Sequence, residues 1–251
     1  MALYFGDQQV KDFPALLDRM PDDTLASPKR STVPLLDYWR DADTRLRQLA
    51  QVLDVAELQL DDLHFEYSVP VQQGHGKASY TDLMVKSVAA AVAIEAKFTE
   101  PHYETVRAWL REPRSDNRIA VLLGWLGLIG KCVSRPIDME DVLDLPYQLI
   151  HRVASVCSVG VPRRYVVYQV FGPQADEYYS EQLSAMARLV TPSEKVHLSL
   201  MSCSFEPSQT FADLEARWIE SGKRSLAHDV REALRLGPLL EFTETTTTTL
   251  G

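Results

Sequence analysis

The spacing of apolar residues changes between residues 35 and 99, and this change constrains the fold more than any other feature of the sequence. Over 35–55 the apolar residues recur at helical spacing, with charged residues between them. Three runs follow, 64–71, 77–87 and 88–99, in which apolar and polar residues alternate or β-branched residues are frequent, and Gly74 lies in the turn between the first two. Helical spacing indicates an amphipathic helix, and alternation indicates strands. The sequence therefore predicts a helix followed by a three-stranded antiparallel meander.

The remainder of the chain alternates helical and strand patterns. Helical patterns cover 103–111, 117–133, 139–159 and 176–190, strand patterns cover 164–171 and 195–205, and a last helical region, 211–236, is interrupted at Gly222. A strand, a helix and a second strand in succession form a crossover unit, which joins parallel neighbours in a sheet. We therefore expect an α/β fold with a central mixed sheet flanked by helices and with extra C-terminal helices.

Domain limits are expected where the patterning stops. Residues 1–34 contain four prolines between short apolar runs and predict an irregular N-terminal arm. Residues 35–242 predict a single domain, and the Thr-rich stretch 243–251 predicts a flexible tail.

Composition restricts the partners and the compartment. The 26 Lys and Arg against 35 Asp and Glu give a net charge of -9, so a broadly basic surface for nucleic acid is excluded. Three widely spaced cysteines suit a reducing compartment. The first residues lack the basic and then apolar layout of a signal peptide, and the apolar run Ile119–Ile129 is too short to span a bilayer. We expect a cytoplasmic protein without membrane contact.

The candidate catalytic residues lie in the meander. Asp82 lies on the second predicted strand, and Glu95-Ala96-Lys97 lies on the third. Residues two apart on a strand point to the same face, so Glu95 and Lys97 project together while Ala96 points the other way. If the two strands pair, Asp82 joins them. The alternative is a solvated surface pair of Glu95 and Lys97 opposed by Asp82, which contributes little to stability.

Two carboxylates and an ammonium group on one patch suit phosphate chemistry. Asp82 and Glu95 offer hard oxygen ligands to Mg²⁺ or Mn²⁺, and the carbonyl of Ala96 offers a third. Such a metal acidifies a bound water and neutralises charge on a phosphate. Lys97 then positions or activates the attacking water and stabilises the transition state.

This arrangement resembles the PD-(D/E)XK, or restriction-endonuclease-like, nuclease superfamily. That pattern is a helix, a three-stranded meander with an acid on the second strand and Glu-x-Lys on the third, a further helix and a fourth strand. The resemblance covers residues 35–171, although Thr81 replaces the proline that precedes the acid in the pattern. It implies a restriction-endonuclease-like core and an Mg²⁺- or Mn²⁺-dependent endonuclease or exonuclease. DNA is the expected substrate, with RNA as the alternative, and Asp82, Glu95 and Lys97 are the expected catalytic residues.

Other residues carry weaker expectations. Gln148 and Arg152 lie on one predicted helix, where similar nucleases place side chains that contact phosphate. Glu57 and Glu66 are candidates for a further acid near the metal, although a solvent-facing role is favoured for both. Two other functions stay open at this point: an inactive nuclease-fold interaction module, for example in a defence or immunity system, and a hydrolase of small phosphoesters. A homodimer is compatible with the nuclease and with both alternatives.

Overall fold

The protein folds around one mixed β-sheet. A computed structural model describes residues 1–55, 62–111, 115–172, 177–190 and 195–250, and all statements on structure concern these ranges. The strands are β1 (Leu3–Phe5), β2 (Gln8–Val10), β3 (Asp62–Val69), β4 (Ser79–Lys86), β5 (Ala90–Lys97), β6 (Arg163–Phe171), β7 (Val196–Pro207) and β8 (Leu240–Leu250). They lie side by side in the order β2-β1-β3-β4-β5-β6-β7-β8.

Helices cover both faces of the sheet. They are α1 (Phe13–Arg19), α2 (Thr32–Tyr38), α3 (Ala42–Val52), α4 (Val106–Arg111), α5 (Asp116–Gly130), α6 (Tyr147–Cys157), α7 (Glu177–Val190), α8 (Gln209–Glu220) and α9 (Ala227–Leu236). Helices α1 to α3, α8 and α9 pack in the core on one face, and α5 to α7 pack in the core on the other. The predicted α/β class, with a mixed sheet between helices, is therefore confirmed. No helix in the described ranges is long and apolar enough to cross a membrane.

Strand pairing follows the order of the elements along the chain. Strands β3, β4 and β5 pair antiparallel as consecutive neighbours, which confirms the predicted meander. Strand β6 then lies parallel to β5, and β7 parallel to β6. Parallel neighbours need a crossover connection, and α4 to α6 provide the first while α7 provides the second. The crossover therefore places α6 against β4, β5 and β6.

Strand β5 is buried at all eight of its positions. Its side chains alternate between the two cores: Ile94 and Ala96 lie with α1 to α3, whereas Ala91 and Ala93 lie with α5 to α7. Because the period of a strand is two residues, Glu95 and Lys97 share the face of Ala93, toward α6. The end of this strand therefore carries two charged side chains into the interior.

The predicted helix over 35–55 consists of two helices. Helix α2 ends at Tyr38, a 3₁₀ turn spans Trp39–Asp41, and α3 begins at Ala42. The Asp41 side chain accepts a hydrogen bond from the N–H of Thr44, 3.3 Å away, and so caps α3. The apolar spacing continues through the turn, which is why the sequence pattern does not reveal it.

The predicted irregular arm over 1–34 is corrected by the structure. Strands β1 and β2 form a hairpin around Gly6, and β1 pairs parallel with β3. Gly6 has φ +58°, a conformation that costs glycine little. Each of these strands has three residues, too few for alternation to be visible in the sequence.

The predicted flexible tail over 243–251 is also corrected. Residues through Leu250 belong to β8, which pairs antiparallel with β7 from Leu198 to Pro207. Residue 251 lies outside the described ranges. Threonine is β-branched and favours strands, so this low-complexity stretch completes the sheet. The sheet therefore extends beyond both predicted domain limits.

Asp37 ties the start of β8 to α2. Its buried Oδ2 accepts hydrogen bonds from the N–H groups of Leu239 and Leu240, at 2.9 and 2.7 Å. We predict that Asp37→Ala lowers the free energy of unfolding by about 2 to 4 kcal/mol, because it leaves two buried donors unpaired. Urea denaturation followed by circular dichroism measures the change. Asp138→Ala, at an exposed position, is the control and is expected to change it by less than about 0.5 kcal/mol. Equal losses for the two variants would contradict this role.

Candidate functional site

The structure brings all six predicted site residues to one cleft of about 270 Å³. Asp82, Glu95, Ala96, Lys97, Gln148 and Arg152 all line it. The register of β4 and β5 pairs Leu83 with Ile94, so Asp82 and Glu95 occupy the next positions on neighbouring strands. Gln148 and Arg152 are four residues apart and lie on the same face of α6. The cleft therefore forms where the ends of two strands meet one helix.

Glu95 is the centre of a buried charge cluster. Glu95 is 2% exposed to solvent, and Lys97 is 3% exposed. Lys97 Nζ donates to Glu95 Oε1 at 2.9 Å, and the guanidinium of Arg152 donates to Oε2. Burial alone would raise the pKa of Glu95, but the charges of Arg152 and Lys97 outweigh burial and lower that pKa below its usual value. The alternative of a solvated surface pair is therefore wrong.

Lys97 is held from several sides. Gln148 Oε1 accepts a hydrogen bond from Lys97 Nζ at 2.6 Å, while the amide nitrogen of Gln148 donates to Glu95 Oε1. The ammonium group lies 4.9 Å from the ring centre of Tyr103 and 5.9 Å from that of Tyr168. Charge on aromatic faces at these distances is favourable. The ammonium group is thereby fixed at the cleft.

Arg152 joins the cluster to β4. Its Nη1 donates to Ser79 Oγ at 3.0 Å and to Thr81 Oγ1 at 3.3 Å, while its Nε donates to Glu95. The guanidinium group is buried, and its hydrogen bonds in the described ranges go to protein groups. The predicted phosphate contacts of Gln148 and Arg152 stay predictions. What their geometry does is orient Glu95 and Lys97.

Asp82 contacts the backbone of β5. Its Oδ2 accepts a hydrogen bond from the N–H of Ala96 at 2.8 Å, and its Oδ1 accepts none from the described residues. Burial and then the nearby charge of Glu95 raise the pKa of Asp82 well above its usual value. The side chain of Ala96 lies in the opposite core, as predicted. The role of its carbonyl as a metal ligand stays a prediction.

Glu66 also lines the cleft, although the sequence favoured a solvent-facing role for it. It has φ +54°, and the pairing of β3 with β4 skips from Phe65 to Tyr67 at this point. Burial raises the pKa of Glu66 to about 7, against the charge of Arg152. No sequence pattern predicts a left-handed backbone conformation for a glutamate within a strand, so the position of Glu66 could not be predicted. Glu57 lies outside the described residues.

The carboxylates that line this cleft are not clustered around one point. Within the described ranges no group of three or more His, Cys, Asp or Glu side chains is arranged to hold a metal ion. The carboxylates of Glu66, Asp82 and Glu95 influence one another through their charges without forming such a group. A metal ion here would therefore be held by two carboxylates rather than by a complete set of protein ligands.

Comparison with protein families gives a match over most of the chain. A protein-family model described as "Domain of unknown function (DUF6946)" matches residues 9–208, which include every residue of the cleft discussed above. No curated protein matches the chain, and no solved structure does. The geometry of the cleft is therefore what indicates its chemistry.

Removing Arg152 tests the buried cluster. We predict that Arg152→Met lowers the free energy of unfolding by about 3 to 5 kcal/mol, because Glu95 loses one of its two cationic partners inside the protein. Chemical denaturation measures the loss. Arg107→Met is a matched control, since Arg107 pairs with Asp144 at the exposed surface, and we expect it to cost less than about 1 kcal/mol. Equal stability of the two variants would show that the buried cluster does not stabilise the fold.

The environment of His151 leads to a prediction of how stability depends on pH. Ser79 Oγ lies 2.9 Å from its Nδ1, and burial lowers the pKa of His151 to about 3. The unfolded histidine has a pKa of about 6.5, so the unfolded state binds more protons between these values and stability falls as the pH drops below about 6.5. At pH 5 the cost is about 2 kcal/mol.

We therefore predict that His151→Gln loses less stability than the wild type when the pH falls from 7 to 5. Denaturation curves at the two pH values give the difference. His75→Gln, in an exposed loop, is the control and is expected to keep the wild-type dependence. An unchanged pH dependence in His151→Gln would show that this half-buried histidine is not responsible.

Proposed function

Because the chain belongs to the DUF6946 family, whose function is unknown, we propose its activity from the site: a metal-dependent hydrolase that cleaves phosphodiester bonds in DNA, with RNA as the alternative. The observation that carries the proposal is that Asp82, Glu95 and Lys97 line one cleft, with the ammonium group of Lys97 held by Glu95 and Gln148. Metal-dependent hydrolysis of a phosphodiester uses ligands that bind a cation and a fixed positive charge near the attacking water.

The order of elements supports a restriction-endonuclease-like core. Helix α3, the meander β3 to β5, the helices α4 to α6 and strand β6 follow one another as in the PD-(D/E)XK pattern. The four strands are also consecutive neighbours in the sheet. Asp82 lies on the second strand of the meander, and Glu95 and Lys97 lie on the third. The arrangement of the elements therefore supports the resemblance drawn from the sequence.

The residues present fit Mg²⁺ or Mn²⁺. Mg²⁺ usually keeps several waters and binds through one or two carboxylates and the substrate phosphate, so a group of three protein ligands is unnecessary. Asp82 Oδ1 accepts no hydrogen bond from the described residues and is available to a cation. Glu95 Oε2 accepts one from Arg152 and retains a lone pair. The bound ion would acidify water and offset charge on the phosphate.

Each side chain then has a role in the proposal. Asp82 and Glu95 hold the cation, and Lys97 positions the attacking water or stabilises the charge that builds on the phosphate. Arg152 helps to keep Glu95 ionised, and the hydrogen bonds from Gln148 and Arg152 orient it. One water is consumed for each P–O bond broken.

The test is cleavage of circular plasmid and of linear DNA and RNA with Mg²⁺ or Mn²⁺. We predict that Asp82→Asn, Glu95→Gln and Lys97→Met each lower the cleavage rate by about 100-fold or more. Removing the divalent ion with a chelator is expected to abolish cleavage. Circular plasmid distinguishes an endonuclease from an exonuclease, since an exonuclease needs an end.

Lys86→Met is the matched control, because Lys86 lies on β4 against the ring of Tyr67 and outside the cleft. It is expected to keep the wild-type rate. The proposal fails if the wild type is inert on all these substrates, or if the three site variants cleave as fast as the wild type. Hydrolysis confined to a panel of small phosphoesters would indicate the phosphatase alternative instead.

A second candidate is an interaction module without turnover. It is favoured by one observation, namely that both oxygens of Glu95 already accept hydrogen bonds from Lys97, Gln148 and Arg152. Titration calorimetry with Mg²⁺ and Mn²⁺ separates the two. Binding that is lost in Asp82→Asn supports the hydrolase, whereas absence of both binding and cleavage supports the module.

A further inference from the structure

The most exposed aromatic side chains of the protein lie at a single place. The chain has 10 Tyr, 8 Phe and 4 Trp, and all of them fall within the described ranges. Among them only Tyr80 and Tyr103 are exposed, at 51% and 49%. Both line the cleft that holds Asp82, Glu95 and Lys97. Exposed apolar surface at one concave site is typical of a binding surface.

The two tyrosines approach the cleft from different elements. Tyr80 lies on β4, two residues before Asp82, and its ring makes no ring contact within the described ranges. Tyr103 lies between β5 and α4, and its ring lies 4.9 Å from Lys97 Nζ. Each therefore offers aromatic surface beside the residues that the proposed function assigns to hydrolysis.

One cation at the cleft, Arg30, has no ion-pair partner among the residues that the structure describes. Lys29 forms an ion pair with Glu215 at 2.7 Å, whereas its neighbour Arg30 is exposed, lines the cleft and has no side-chain partner within the described ranges. A guanidinium group is well suited to a phosphate, which it can contact with two parallel hydrogen bonds. Arg30 thus adds a phosphate contact to the two aromatic rings.

We propose that the cleft binds single-stranded nucleic acid, with unpaired bases stacked on Tyr80 and Tyr103 and a backbone phosphate at Arg30. The proposal rests on the proposed function and names the form of its substrate. In a duplex the base faces are already stacked on one another, so only unpaired bases can lie on aromatic side chains. The net charge of -9 leaves little general attraction for phosphates, so stacking has to supply affinity that charge does not.

The test is fluorescence anisotropy with the full chain and labelled oligonucleotides of one sequence. The set comprises single-stranded DNA, single-stranded RNA, the DNA duplex and a DNA strand with abasic sites at the central positions. Binding is measured in a chelator and again with Ca²⁺. We expect the single strands to bind at least 10-fold more tightly than the duplex or the abasic strand. The DNA and RNA arms show which single strand is preferred.

Variants isolate the two rings. Tyr80→Ala and Tyr103→Ala are each expected to weaken single-strand binding by about 5- to 150-fold, because base stacking on an aromatic side chain contributes about 1 to 3 kcal/mol. Tyr80→Phe and Tyr103→Phe keep the ring and should stay within about twofold of the wild type. Leu236→Ala, at an exposed position on α9, is the control for surface truncation. Circular dichroism verifies that each variant is folded.

The outcomes separate this inference from the proposed function. Equal affinity of the wild type for single strand, duplex and abasic strand overturns the inference. So does a wild type that does not bind single strands, and so do alanine variants that bind single strands as tightly as the wild type. Metal-dependent cleavage of duplex DNA that is unaffected by the tyrosine variants would keep the hydrolase and overturn the single-strand preference. Single-strand binding by a wild type that cleaves nothing would keep the binding site and overturn the hydrolase.

Discussion

The buried carboxylate of Glu95 is the interaction on which the cleft depends. An ionised carboxylate in the interior is costly unless cations and donors surround it. Lys97, Arg152 and Gln148 together meet this requirement, and they come from β5 and α6. The position of α6 over the sheet is therefore linked to the charge on one strand residue, and the crossover from β5 to β6 is anchored at the site itself.

This linkage also explains the distribution of polar residues around the cleft. Arg152 needs acceptors beyond Glu95, and Ser79 and Thr81 on β4 provide them. The strand that carries Asp82 is thereby tied to the same helix as the strand that carries Glu95. Two strands and a helix thus hold the site residues in place through their hydrogen bonds to one another. A preorganised arrangement of this kind is what electrostatic stabilisation of a transition state requires.

The sequence predicted the parts of this arrangement that depend on local patterns. The meander and the shared face of Glu95 and Lys97 follow from alternation with a period of two. The spacing of Gln148 and Arg152 follows from the helical period, but their contact with Glu95 depends on a crossover more than fifty residues long. Local patterns do not encode such packing. For the same reason the left-handed Glu66 could not be predicted, and the threonines of β8 could not be distinguished from a tail by composition.

Several features that cost folding free energy lie in or next to this cleft. Glu66 has a left-handed backbone conformation, which costs of order 1 kcal/mol outside glycine. The buried hydroxyl of Tyr168 has no hydrogen-bond partner in the described ranges, although its ring lies near Lys97. Asp82 is held beside Glu95, although burial and then the charge of Glu95 raise its pKa. Apolar packing would avoid all three costs, so stability does not account for this combination of residues. A ligand that brings positive charge to Asp82 and Glu95 removes the repulsion, which makes a functional site the better explanation.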